Sequence, residues 1–185
     1  NDDTSLALDA SRERKKSNYV TYSSVSNYTY NSFKAVLNYD NDQLNIVAGS
    51  DGFCGERTSK ATKTDKNNIS GFIAANYKMG NNSFKAGYRY EKVTYKYNDN
   101  TTSNKQDNNL YGLELGYNYI INKNSSLFVN YSHSYQAPDI DRFFKTTGAF
   151  NNFIDPMKAN NYTVGYNNIN PTNKFKVSIY YVDLT

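Results

Sequence analysis

The stretch Phe84-Lys85-Ala86-Gly87-Tyr88-Arg89-Tyr90 alternates. Phe84, Ala86, Tyr88 and Tyr90 form one set, and Lys85, Gly87 and Arg89 form the other. Successive strand side chains point to opposite faces, so this run has one apolar flank and one wet flank. Phe33-Lys34-Ala35-Val36-Leu37-Asn38-Tyr39 reads the same way, as do Tyr111-Gly112-Leu113-Glu114-Leu115-Gly116-Tyr117 and Phe175-Lys176-Val177-Ser178-Ile179-Tyr180-Tyr181. Charged residues occupy a single phase in each run. A sheet with lipid on one side and water on the other demands this pattern.

Composition agrees with that reading. Hydrophobic residues make up 38% of the 185, and mean hydropathy is -0.81. No apolar run approaches the roughly 20 residues of a membrane helix. A membrane barrel tolerates low hydropathy because only alternate strand residues meet lipid. The chain has 19 Tyr, 10 Phe and no Trp. Many Tyr lie at the ends of runs (Tyr39, Tyr77, Tyr90, Tyr117, Tyr119, Tyr181), where a barrel carries its aromatic girdles. The net charge of +4 comes from interspersed Lys and acidic residues. No basic stripe with interleaved aromatics appears, so no nucleic-acid partner is expected. With Cys54 alone there is no internal disulfide.

Nine strands are predicted, over residues 5–13, 32–39, 43–53, 69–79, 83–97, 110–121, 126–136, 161–167 and 174–183. The apolar phase includes Leu6, Leu8, Phe33, Leu37, Ile73, Tyr77, Phe84, Tyr88, Leu113, Leu115, Leu127, Val129, Val177 and Ile179. The polar phase includes Lys34, Asn38, Lys85, Arg89, Glu91, Glu114, Asn130, Ser132 and Lys176. A Lys or Arg on the lipid face costs about 2–4 kcal/mol at the midplane. Arg12 breaks the phase, but at a strand end. Around Glu91 the phase changes, and Val93, Tyr95 and Tyr97 become the regular set. A bulge explains this, or the strand leaving the membrane there.

The connections alternate in length. Residues 40–42, 80–82, 122–125 and 168–173 are short turns rich in Asn, Asp, Gly, Ser or Pro. Residues 14–31, 54–68, 98–109 and 137–160 read as long loops. Outer-membrane barrels have short periplasmic turns and long external loops. A β-sandwich shows no such rhythm. The expected fold is all-β: antiparallel, up-and-down transmembrane β-barrel strands. An odd strand count and a strand pattern running to Thr185 predict part of a larger barrel, because an open sheet edge is costly in lipid. No signal peptide opens the chain.

Three segments resemble the barrel of TonB-dependent outer-membrane receptors. The first runs from Leu44-Asn45-Ile46-Val47-Ala48-Gly49-Ser50 through 69–79 to Phe84-Lys85-Ala86-Gly87-Tyr88-Arg89-Tyr90-Glu91. It is similar to the family's paired mid-barrel strands with an "aGlRyd" pattern. The second, Ser126-Leu127-Phe128-Val129-Asn130-Tyr131-Ser132-His133-Ser134, is followed by Tyr135-Gln136-Ala137-Pro138, which stands where Phe-Arg-Ala-Pro is common. The third, 155–166, resembles the "L.pE.s...ElG" segment, and 175–183 resembles the strand after it. Order and spacing match from about Phe33 onward. Gln136 replaces the usual Arg, Lys158 stands near a usual Glu, and Thr163 replaces a second Glu.

The resemblance implies residues 1–185 as a partial receptor barrel in the bacterial outer membrane, without plug or TonB-contacting segment. It implies uptake of a scarce nutrient, with a ferric siderophore favoured over haem or cobalamin. It implies no cofactor, and contact with TonB only through an N-terminal part that this chain lacks. Outer-membrane lipid and lipopolysaccharide are the expected surroundings. A small complete outer-membrane barrel with a structural or adhesive role and a soluble all-β binding module are the alternatives.

The loop 137–160 is the expected ligand site, with Tyr135 and Gln136 at its start and Arg142, Phe143, Phe144 and Lys145 within it. Arg and Lys pair with anionic siderophore or phosphate groups, Arg in bidentate fashion. Phe143 and Phe144 suit a flat or aromatic ligand. The competing reading is that this loop packs on the rim and touches lipopolysaccharide or nothing. His133 lies on the apolar phase near the outer end of its strand and reads as an interfacial residue, since no further ligands stand at metal-site spacing. Cys54, at an expected strand–loop junction, has no base or orienting group beside it. No catalytic set is found, so an enzyme is not expected.

Overall fold

A computed structural model of the chain describes residues 3–19, 24–144 and 150–185. Nine strands follow one another: β1 (Thr4–Tyr19), β2 (Ser24–Asp40), β3 (Leu44–Ser59), β4 (Thr62–Met79), β5 (Asn82–Asn98), β6 (Ser103–Asn122), β7 (Ser125–Gln136), β8 (Met157–Ile169) and β9 (Lys174–Leu184). Each pairs antiparallel with the next in one sheet, with β1 and β9 at its edges. The nine expected strands are all present, in up-and-down order.

Register carries the alternation across the sheet. Leu6 faces Leu37, which faces Ala48, and the line continues through Ile73, Tyr88 and Leu113 to His133. This row lies on one side. The next row holds Asn38, Gly87, Glu114 and Ser132 and lies on the other. Large apolar residues of the first side are open: Leu8 is 74% exposed and Ile179 73%. Exposed apolar surface on this scale belongs against hydrocarbon. Girdle contacts appear on the same side. Tyr111 stacks on His133 at 4.7 Å between ring centroids, and Nδ1 of His133 lies 2.9 Å from Asn160 Oδ1. The lone histidine is therefore an interfacial residue.

Three expected loops are corrected. Most of residues 14–31, 54–68 and 98–109 belongs to paired strands, with β3 turning into β4 at residues 60–61 and β5 into β6 at residues 99–102. A tilted strand crosses a bilayer in about 9–11 residues, while β6 has 20. The extensions project beyond the membrane as ribbons. Where no loop covers them, both their faces meet polar surroundings and alternation fades, yet backbone groups between paired strands still find their ladder partners. Arg12 thus sits within β1, opposite Asn31, and Cys54 within β3, between Asn31 and Asn67. Of the four expected long connections, 137–160 keeps the largest non-strand part.

The phase change near Glu91 is not a bulge. β5 keeps unbroken register with β4 and β6 from Asn82 to Asn98. Arg89, Glu91, Val93, Tyr95 and Tyr97 all point to the same inner side. That side turns apolar because a loop covers it. The opposite side turns polar at Lys92 and Lys96, as expected of a strand that has left the membrane. The core accordingly lies on the inner face, around Val93, Tyr95, Leu110 and Phe143.

Candidate functional site

The connection between β7 and β8 folds back over the inner face of β3 to β6. Its 3₁₀ turn, Ile140–Phe143, buries Ile140 and Phe143 to 2% and 0% exposure. Phe143 meets Tyr95 edge-on at 4.8 Å and Phe153 at 5.1 Å. Tyr97 stacks on Phe150 at 4.0 Å. Aromatic pairs of this geometry add about 0.5–1.5 kcal/mol each beyond the area they bury.

Polar ties hold the same loop. Lys66 Nζ and Tyr95 Oη both donate to the Pro138 carbonyl, at 2.9 and 2.8 Å. Arg57 lies 3.2 Å from Asp141 through Nε, and its guanidinium sits 4.0 Å above the Phe144 ring. Tyr28 donates to the same Asp141 carboxylate at 3.0 Å. A part-buried loop carbonyl needs donors, and strands β4 and β5 supply them.

Below the loop lies a polar wall. Arg89 clamps Asp51 with two hydrogen bonds, Nη1 to Oδ2 at 2.7 Å and Nη2 to Oδ1 at 2.8 Å. Ser70 donates to Asp51 Oδ1 at 2.8 Å. Arg89 Nε donates to Tyr135 Oη at 3.1 Å, and Tyr135 in turn donates to Glu91 at 2.6 Å. Asn68 donates to the other Glu91 oxygen. One close approach makes room for this. A Cβ at Gly49 would fall 2.6 Å from Phe72 Cζ, so the bare glycine lets Phe72 lie flat beneath Arg89. At Gly112 an added Cβ would make only ordinary contact with Tyr135 Cε1, at 3.7 Å. The pairing of β7 with β6 ends at His133, and Tyr135 turns inward over that gap. The wall borders a groove of about 750 Å³ lined by Lys34, Asp51, Phe72, Arg89, Glu114 and Tyr135.

The expected site residues are divided by this arrangement. Tyr135 is half-buried in the wall network. Gln136 ends β7, exposed and paired with Met157. Arg142 is exposed on the 3₁₀ turn, and Phe144 is half-buried under Arg57. Phe143 is wholly inside the aromatic cluster, where it anchors the loop. Lys145 lies outside the described residues. Tyr28, Arg57 and Lys66 are loop contacts that the sequence did not single out. Arg57 and Lys66 were hidden in a segment read as loop. The Val93, Tyr95, Tyr97 alternation was the available signal for a covered inner face.

At the outer end of β5, Asp99 caps the turn to β6. It accepts from the backbone N–H of Thr101 and Thr102 and from the Thr101 and Tyr97 hydroxyls. These bonds favour the charged form and hold its pKa down at about 2.

The family profile described as TonB dependent receptor-like, beta-barrel, matches residues 2–185. No curated protein sequence matches the chain. Among solved structures, the siderophore receptor PiuA from Acinetobacter baumannii superposes with a TM-score of 0.73 at 11% identity, over 97% of this chain and 38% of its own. The ferric yersiniabactin uptake receptor FyuA from Yersinia pestis gives 0.72 at 11%, over 100% and 34%. The copper transporter OprC gives 0.70 at 15%, over 85% and 30%. The chain thus spans roughly a third of the length of these structures. At such identities the likeness establishes a shared fold, and it leaves the soluble-module alternative without support. The profile match over nearly every residue carries the rest: this chain belongs to the TonB-dependent receptor β-barrel family of the bacterial outer membrane, whose members are transport receptors and not enzymes.

Proposed function

We propose that this chain is part of the barrel of a receptor that captures a ferric siderophore and passes it inward under TonB control. The observation that carries the reading is the loop folded onto the inner face, which brings cationic and aromatic groups above a polar wall. Arg142 and Lys145 pair with anionic oxygens of the iron complex, Arg142 through its planar fork. Phe144, Tyr135 and Gln136 give the flat and hydrogen-bonding surface beside them. Phe143 holds the loop in place from within. Similar folds in the siderophore receptor PiuA and the ferric yersiniabactin uptake receptor FyuA support this ligand class. Contact with TonB falls to a part of the receptor outside these residues.

The test is growth of a strain lacking the full-length receptor on single sources of iron, haem or cobalamin. Loss of growth on one ferric siderophore, restored by the gene, is the expected result. Loss on haem or cobalamin alone would reassign the ligand. Unchanged growth on every source would refute the uptake role.

A further inference from the structure

The outer side of the sheet changes character directly above its aromatic rows. On β5, Tyr90 is followed in the same phase by Lys92, Thr94 and Lys96. On β6 the opposing positions are Asn109, Asp107 and Lys105. On β4 they are Ile69, Asn67 and Asp65, with Lys63 one step beyond, opposite Asn98. The same phase carries Arg12, Arg14 and Lys16 on β1, no charge on β2, and Glu56 on β3. These outward positions therefore hold seven basic side chains (Arg12, Arg14, Lys16, Lys63, Lys92, Lys96, Lys105) and three acidic ones (Glu56, Asp65, Asp107).

The excess lies on β1 and, within β4 to β6, on β5. Lys63 is occupied by Glu56 at 2.6 Å and Asp65 at 3.7 Å, and Lys105 by Asp107 at 2.7 Å. Lys92 and Lys96 are exposed and form no salt bridge among the described residues. At about 3.4 Å of rise per residue, Lys92 lies about 7 Å along the strand beyond Tyr90. Its ammonium thus stands at the level of lipid headgroups, while Tyr88, Tyr90 and Tyr111 below it face acyl chains. A freely dissolved anion would have no use for that continuity between apolar band and cations. An anchored anionic lipid would.

We propose that the outward face of β4 to β6, immediately above the aromatic band, binds the phosphates of lipopolysaccharide in the outer leaflet. Lys92 and Lys96 are the direct phosphate contacts, and Lys105, held by Asp107, borders them. The assignment rests on the family's membrane location and is independent of the nutrient carried.

The full-length receptor, purified from outer membranes, tests this. Lipopolysaccharide retained per receptor is measured for the wild type, for Lys92→Gln with Lys96→Gln, and for Lys34→Gln on the inner face. Each lysine removed from the outer face is expected to weaken retention about fivefold, as a charge near an anionic lipid surface does. Lys34→Gln is expected to leave lipopolysaccharide retention unchanged. Equal retention by the double variant and the wild type would overturn the proposal. A second measurement needs no variant. Delipidated wild-type receptor is offered rough lipopolysaccharide, its dephosphorylated form, or vesicles of phosphatidylglycerol. Preference for the phosphorylated glycolipid is expected. Equal binding of the dephosphorylated form would remove the phosphate contact, and equal binding of phosphatidylglycerol would remove the glycolipid assignment.

Discussion

Arg89 and Asp51 join strands β5 and β3 across the full width of β4. The two hydrogen bonds, at 2.7 and 2.8 Å, match the fork of the guanidinium to both carboxylate oxygens. Phe72 and Ser70 of β4 lie between them. The pair constrains β3, β4 and β5 locally, because three strands must hold one relative position for both bonds to form. It also orients Arg89 toward Tyr135, and so ties the wall to the start of the loop.

A double-mutant cycle measures that tie. Arg89→Ala, Asp51→Ala and the double variant of the full-length receptor are unfolded in denaturant after insertion in vesicles. A coupling of about 1–3 kcal/mol is expected for a charge-assisted, partly exposed bidentate pair. Arg89→Lys should recover less than half of it, since an ammonium cannot fork. Additive single effects would show that the pair contributes nothing.

Phe143→Ala empties a fully buried ring site in the loop cluster. Truncations of buried Phe cost about 3–5 kcal/mol, and here the loss falls on docking of the loop. Limited proteolysis should cut within 137–156 much faster in this variant, with the barrel strands still protected. Arg57→Ala should act in the same direction and more weakly, as it loses a cation–π contact and the cationic partner of Asp141, which keeps Tyr28. Unchanged cleavage rates in Phe143→Ala would mean that the cluster does not hold the loop.

Lipid-facing and lumen-facing sites should respond differently to charge. Leu115, 46% exposed on the outer side, is expected to lose about 2–4 kcal/mol as Leu115→Arg if it lies near the midplane. Asn118→Arg, on the inner side, should change stability by less than about 1 kcal/mol. Vesicle-based unfolding of the full-length receptor compares the two.

The Asp99 turn carries a pH dependence of known sign. Its pKa is lowered to about 2 in the folded chain, below the ordinary carboxylate value of about 4. The cap is therefore fully present above pH ~4 and is lost as pH falls through about 2. Hydrogen-exchange protection of the Thr101 and Thr102 amides should fall over that window, relative to their intrinsic rates. Protection unchanged between pH 5 and pH 2 would rule out the charged cap.

The membrane-spanning part of each strand could be read from the sequence, because hydrocarbon punishes any polar residue in the wrong phase. That is why Phe33 to Tyr39 and Phe84 to Tyr90 reveal both strand and side. Outside the bilayer this selection ends. Glu13-Arg14-Lys15-Lys16 is polar in both phases and resembles a loop, yet it pairs with residues 27–30 through backbone bonds that any side chains permit. The site was partly legible for a similar reason. The loop 137–160 stood out by length and by its Arg and Phe residues. Its attachments did not, since Arg57 and Lys66 lie more than 70 residues upstream of the groups they hold, Asp141 and Pro138. Tyr95 and Tyr97 showed the inner face changing character, and the cause became visible only with the loop seated on them.

Neighbouring residues on β6 test the central claim most directly. Spin labels are placed singly at Leu113 and at Glu114 in the assembled full-length receptor in vesicles, and their collisions with oxygen and with a water-soluble nickel complex are compared. The label at Leu113 should meet oxygen in the acyl chains and be shielded from nickel, while the label at Glu114 should show the reverse. Equal exposure of both labels to lipid, or of neither, would contradict a sheet with hydrocarbon on one face and an aqueous interior on the other.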